Sequence, residues 1–140
     1  MTSVTRPSHR SVLGFDHVAI TVADIQKACE FYERVLDGRV EADYQVNGKT
    51  IVRRVVIGGA VLNIHQEGNG VDLVARRPTP GSADLCFRWN GSVQKAVARL
   101  QNAGIAIIAG PVPRLSSDAT EGQSVYFVDP DGNLIELLAT

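Results

Sequence analysis

The sequence predicts an α+β fold made of two βαβββ modules, and three observations predict it. The order strand, helix, three strands can be read twice along the chain. Each half opens on an alternating strand followed by a capped amphipathic helix. The connections carry turn chemistry, with Asn47-Gly48 and Gly58-Gly59 in the first half and Asp129-Pro130-Asp131-Gly132-Asn133 in the second.

Residues 1–13 read as a loose polar tail. Arg6, His9 and Arg10 stand there without an apolar run, so no secretory signal is expected. Gly14 to Val22 alternates with a period of two, as a half-buried strand does. Asp24 is placed to cap a helix over 25–36. Ile25, Ala28, Cys29, Tyr32, Val35 and Leu36 form its apolar face, and Asp37-Gly38 stops it. Strands follow at Arg39–Tyr44, Thr50–Ile57 and Ala60–Gln66. That is module one, 14–67.

A Gly- and Pro-rich linker, 68–81, separates it from module two, 82–138, in a single domain of 14–140. Ser82–Trp89 is the second opening strand. Ser92 caps a helix carrying Val93, Ala96, Val97, Leu100 and Ala103, with Gly104 as its stop. Strands are expected at Ile105–Ala109, Gln123–Val128 and Leu134–Leu138. The segment 113–122 between them is expected to be a long loop, a lid or a loose hairpin.

Composition excludes several classes. The chain has 140 residues, 44% of them hydrophobic and 21% charged, the balance of one ordinary globular domain. Its net charge of -1 argues against nucleic acid or an anionic membrane surface as a partner. No apolar stretch is long enough to span a bilayer. Cys29 and Cys86 show no paired spacing, which fits a cytoplasmic setting without disulfides.

A four-strand sheet with one helix covers one face and leaves the other open. Two such sheets facing each other would enclose a cavity. If Val18, Ile20, Leu62, Ile64, Leu85, Phe87, Ile135 and Leu137 pack on the helices, alternation turns His17, His65, Asp84 and Glu136 inward. Glu136 lies in an apolar strand, where an ionised carboxylate needs solvent or a cation. A lone histidine on such a strand is commonly a structural residue, and Asp84 alone is commonly a cap. Four ligand-capable residues on one side favour a metal. Nitrogen and oxygen donors without thiolate suit Mn, Fe, Co, Ni, Zn or Mg. Arg53, Arg54 and Arg88 are candidate anion-binding residues, and Cys86 either lines the cavity or packs as a small apolar side chain.

Phe15-Asp16-His17-Val18-Ala19-Ile20 and Asp129-Pro130-Asp131-Gly132-Asn133-Leu134-Ile135-Glu136 resemble the vicinal oxygen chelate superfamily. That superfamily includes glyoxalase I, fosfomycin and bleomycin resistance proteins and extradiol dioxygenases. Pro78 to Phe87 resembles a glyoxalase-domain subgroup that includes a virulence-associated protein. The resemblance implies an incompletely closed barrel around a metal cavity. It implies a divalent metal held by His17, His65, Asp84 and Glu136, with Glu136 as the catalytic base, and Arg53 and Arg88 near a small-molecule substrate. Compared with glyoxalase I, His65 stands for a Glu and Asp84 for a His. The implied function is a metal-dependent lyase or isomerase acting on a small substrate with adjacent oxygens. The alternatives are an extradiol-type dioxygenase, or a protein that only sequesters a drug or metabolite. The resemblance also implies a homodimer whose cavities draw on modules of one chain or of two.

Overall fold

The computed structural model describes residues 10–140, so most of the expected N-terminal tail lies outside the described residues. The elements run β1 (Val18–Val22), α1 (Ile25–Leu36), β2 (Arg39–Val46), β3 (Lys49–Ile57), β4 (Ala60–Gln66), β5 (Asp84–Trp89), α2 (Val93–Asn102), β6 (Ala109–Leu115), β7 (Glu121–Val128) and β8 (Leu134–Ala139). They form two four-stranded sheets, ordered β1-β4-β3-β2 and β5-β8-β7-β6. The topology is the same in both, and the sheets do not close into barrels. The two-module α+β architecture is therefore present as expected.

Both helices begin on the anticipated caps. Asp24 accepts a hydrogen bond from the Lys27 amide, and Ser92 accepts one from the Lys95 amide. Their apolar faces and the covered faces of both sheets merge into one core, from Ile20, Val22 and Tyr32 through Leu100 and Val125 to Ile135 and Leu137. Neither module has a core of its own.

The C-terminal turn ties the modules together. Asp129 is buried, and its Oδ1 accepts from the amides of Asp131 and Asn133 at 2.9 Å each. Its Oδ2 accepts from the Tyr32 hydroxyl at 2.6 Å and from Asn133 Nδ2 at 2.7 Å. Asn133 Oδ1 accepts from the Ala83 amide, and Asp131 Oδ1 from the Ala23 amide. One turn thus holds α1, the end of β1 and the start of β5. Gly81 packs against it with φ +82°, where a Cβ would sit 2.7 Å from the Asp131 carbonyl oxygen.

Two sequence expectations fail locally. Ile105–Ala109 is not a strand; β6 begins at Ala109 and runs to Leu115. Ile105 and Ile107 alternate because they pack on the core from a connecting segment, not because they sit in a ladder. Of the two readings of 113–122, the hairpin is the one present: the segment is the rest of β6, a tight turn, and the start of β7. Ser116 N–H donates to the Thr120 carbonyl across the turn at 2.9 Å. Pro111 and Pro113 are tolerated there because β6 is an edge strand. The first strand also starts later than Gly14, at Val18; among the described residues it pairs only with β4, which begins at Ala60 after the Gly58-Gly59 turn, so residues before Asp16 have no strand beside them.

Candidate functional site

Strand register decides which side chains share a face. In the first sheet, Val18 lies beside Leu62 and Ile20 beside Ile64, on the side buried by α1. Ala19 beside Asn63 and Thr21 beside His65 therefore occupy the open face, and alternation puts His17 there too. In the second sheet, Leu85 beside Ile135 and Phe87 beside Leu137 face the core. Asp84, Cys86, Arg88, Leu134 and Glu136 take the open face, joined by Tyr126 across from Glu136 and Ser124 across from Leu138. All four residues expected to point away from the helices lie on these open faces.

The same register corrects one equivalence. Where β5 pairs with β8, Cys86 stands beside Glu136. The matching position where β1 pairs with β4 is Ala19 beside Asn63. The module-one counterpart of Glu136 is thus Asn63, and His65 lies two residues further along the strand. Asn63 Oδ1 is buried on this face without a hydrogen-bond partner among the described residues. Comparing the two modules strand by strand from Ala19 and Cys86 would have found it in the sequence.

Glu136 is supported by its neighbours. The Ser124 hydroxyl, fully buried, donates to Glu136 Oε2 at 2.6 Å. The Cys86 thiol is pushed up to about 11, first by burial, then by the Glu136 charge and a hydrogen bond to it. Cys86 is therefore a thiol beside a carboxylate, and it is exposed on the open face rather than packed in the core. Among the described residues, no Lys or Arg forms an ion pair with Glu136.

The arginines divide. Arg53 lies opposite Ile64, on the helix side of the sheet, where its Nη1 donates to Gln26 Oε1 at 2.8 Å and its Nη2 stands 3.7 Å from Asp43. The expected substrate contact does not match that place, because alternation turns residue 53 toward α1. Arg54 and Arg88 are on the open faces, Arg54 donating to the Tyr44 hydroxyl and Arg88 to Thr140. Arg114 was not singled out in the sequence. Its Nε donates to the Tyr126 hydroxyl at 2.8 Å, and its guanidinium lies 5.5 Å from that ring's centroid, in the row of Glu136.

Two cavities lie along β1 and β5. One of about 350 Å³ is lined by Thr21, His65, Arg77, Thr79, Ser82 and Asp84, among others, and the linker forms part of its wall. A second of about 320 Å³ is lined by His17 and Cys86 with Phe15, Asp16 and Val61. His65 is shifted below the usual imidazole range, first by burial and then by the charge of His17. His17 Nδ1 is 2.8 Å from Asp16 Oδ2. Among the described residues, no three His, Cys, Asp or Glu side chains converge closely enough to hold a metal ion. The donor types fit a divalent ion, but one chain presents them as two half-sites, imidazoles on one sheet and carboxylates on the other.

Residues 14–137 match the family model described as Glyoxalase/Bleomycin resistance protein/Dioxygenase superfamily. The chain belongs to this superfamily. It is 41% identical to virulence protein STM3117 of Salmonella typhimurium over 87% of this chain and 81% of that protein. The crystal structure of that protein superposes with a TM-score of 0.80 at 38% identity, covering 93% of this chain and 98% of that one. The metallothiol transferase FosB of Shouchella clausii is 32% identical over 90% of this chain and 80% of its own length. TnmS3, an antibiotic binding protein from Streptomyces sp. CB03234, superposes with a TM-score of 0.70 at 28% identity, covering 94% and 98%. The superfamily membership expected from the first strand and last turn is thereby shown.

Proposed function

We propose that this protein is a metal-dependent enzyme of the glyoxalase type, acting on a small substrate with adjacent oxygens. The observation that carries this is Glu136, a carboxylate oriented by a buried serine hydroxyl on an open sheet face, without a cationic partner among the described residues. His17 on the first sheet and Glu136 with Asp84 on the second would hold the ion. When bound, a divalent ion supplies Lewis-acid polarisation of substrate oxygens. Glu136 is the candidate to move a proton between neighbouring carbons, with Ser124 fixing its orientation. Arg88 and Arg114 supply positive charge for an anionic substrate. The name metallothiol transferase of one relative agrees with a metal.

Because the described residues of one chain offer only half-sites, each complete site joins the first sheet of one protomer to the second sheet of another. Tyr44 and Val128, on these open faces, are 45% and 42% exposed in the single chain and would be covered. The test is complementation. His17→Ala and Glu136→Ala each abolish stoichiometric Mn²⁺ or Zn²⁺ binding. Refolding the two variants together restores about a quarter of the sites, because half the dimers are mixed and each keeps one intact site. Full metal in either variant removes that residue from the site. No recovery on mixing places the site within one chain.

A sequestering role is the second reading, favoured by the antibiotic-binding relative. Tight ligand binding unchanged by EDTA, with no turnover of hemithioacetals or of catechols under oxygen, would decide for it. Oxygen-dependent catechol cleavage with Fe²⁺ would decide for a dioxygenase.

A further inference from the structure

His65 is held by an amide whose orientation leaves no choice. Asn69 Oδ1 accepts from the Val71 backbone N–H at 3.0 Å, a group that can only donate. Asn69 Nδ2 donates to the Ile51 carbonyl at 3.0 Å, a group that can only accept. The Asn69 oxygen and nitrogen are therefore fixed by backbone on both sides. The same Nδ2 lies 3.1 Å from His65 Nδ1, so its second proton points at that ring nitrogen. Nδ1 must then be the acceptor, and in the neutral ring the proton sits on Nε2.

The tautomer has chemical consequences. A metal bound at Nε2 needs a lone pair there, and the displaced proton would move to Nδ1, against the Asn69 amide. The strand register already places His65 two residues away from the position equivalent to Glu136. His65 instead lines the cavity of about 350 Å³ together with Arg77, Thr21, Thr79, Ser82 and Asp84; the Ser82 hydroxyl donates to the Thr79 carbonyl and the Thr79 hydroxyl to the Arg77 carbonyl, so Arg77 and Thr21 are the donors turned to a ligand. Among the described residues, Nε2 has no hydrogen-bond partner. The size suits a small molecule, and the Arg77 guanidinium with the Thr21 hydroxyl and His65 Nε2 suits an oxyanion.

We propose that His65 is a hydrogen-bond donor through Nε2 to an anionic, oxygen-bearing ligand group, not a metal ligand, and that Asn69 is the positioning residue that sets its tautomer. This deepens the proposed function and rests on it only for the catalytic use of the ligand. The tautomer itself stands on the hydrogen bonds.

The experiment is long-range ¹H–¹⁵N correlation of the imidazoles in EDTA-treated, full-length protein at pH 8.5, where only three histidines contribute signals. His65 is expected as the Nε2–H tautomer. In Asn69→Asp the acceptor side chain reverses it to Nδ1–H. Nδ1–H in wild type, or an unchanged pattern in Asn69→Asp, overturns the assignment. Inorganic phosphate is the ligand probe: titration shifts the His65 signal, and Arg77→Ala weakens the effect at least about fivefold. No phosphate-dependent shift overturns the ligand role. In a parallel Mn²⁺ measurement, His65→Gln holds metal within about twofold of wild type, and loss equal to that of His17→Ala refutes the proposal. If wild type holds no metal at all, the enzyme reading fails while the spectra still decide the tautomer.

Discussion

The two modules share a backbone plan and differ in how they close it. In module two, the hairpin between β7 and β8 turns on Asp129–Asn133, whose side chains bind α1, β1 and β5. In module one, the corresponding hairpin between β3 and β4 turns on Gly58-Gly59, and a Cβ added at either glycine meets nothing within 4 Å. The open faces diverge in the same way: Asn63 with an unpartnered oxygen in one, Glu136 with a serine donor in the other. Duplicated topology fixes where a side chain points, while the chemistry placed there has been free to change.

Asp129→Ala should break this asymmetry most severely. It strands the buried Tyr32 hydroxyl and Asn133 amide, at about 1–3 kcal/mol for each unsatisfied donor, and should cost about 3–5 kcal/mol in urea unfolding. Tyr32→Phe should cost less, about 1.5–3 kcal/mol, since the carboxylate keeps its amide donors. It should also change the alkaline limb. Burial, then the charge of Asp129, raises the Tyr32 hydroxyl above its ordinary 10. The unfolded chain therefore loses that proton first, and wild-type stability falls as pH climbs past about 10. Tyr32→Phe should flatten that fall, and an unchanged slope between pH 10 and 11 would show another tyrosine or lysine to be responsible.

Ser124→Ala sharpens the contrast at the site. Removing the hydroxyl that orients Glu136 should weaken metal affinity by about 10–100-fold while the far-ultraviolet spectrum stays the same. Equal affinity would mean that Glu136 needs no support or binds nothing. Gly59→Ala should do least, about 0.5 kcal/mol or less, because its position is open and its φ is not in the left-handed region. A larger loss would show that the module-one hairpin carries hidden constraint.

Much of this was legible in the chain. Apolar alternation and two side-chain caps located both helices and most strands, because period and capping are local. The open-face placement of His17, His65, Asp84 and Glu136 followed from the same period of two. What failed needed non-local information. Ile105 and Ile107 mimic a strand while packing from a coil, and the edge strand β6 hides behind Gly110, Pro111 and Pro113. Arg53 is expected near an anionic substrate from its charge alone, yet it shares a face with Ile64. Asn63 is less conspicuous than His65 as a candidate, although aligning the turn glycines Gly59 and Gly132 matches it to Glu136, as the strand register does. Asn69 and Arg114 act through contacts that composition and spacing do not encode.

The position of β8 bears on how the chain is made. It is the inner strand between β5 and β7, yet it is translated after both. Until it emerges, the second sheet is split, and Tyr32, 97 residues upstream of Asp129, waits without its acceptor. At about 5–20 residues per second, α1 spends several seconds on the ribosome with its apolar face uncovered by the last hairpin. Nascent chains stalled before residue 129 should accordingly be the ones that recruit chaperones.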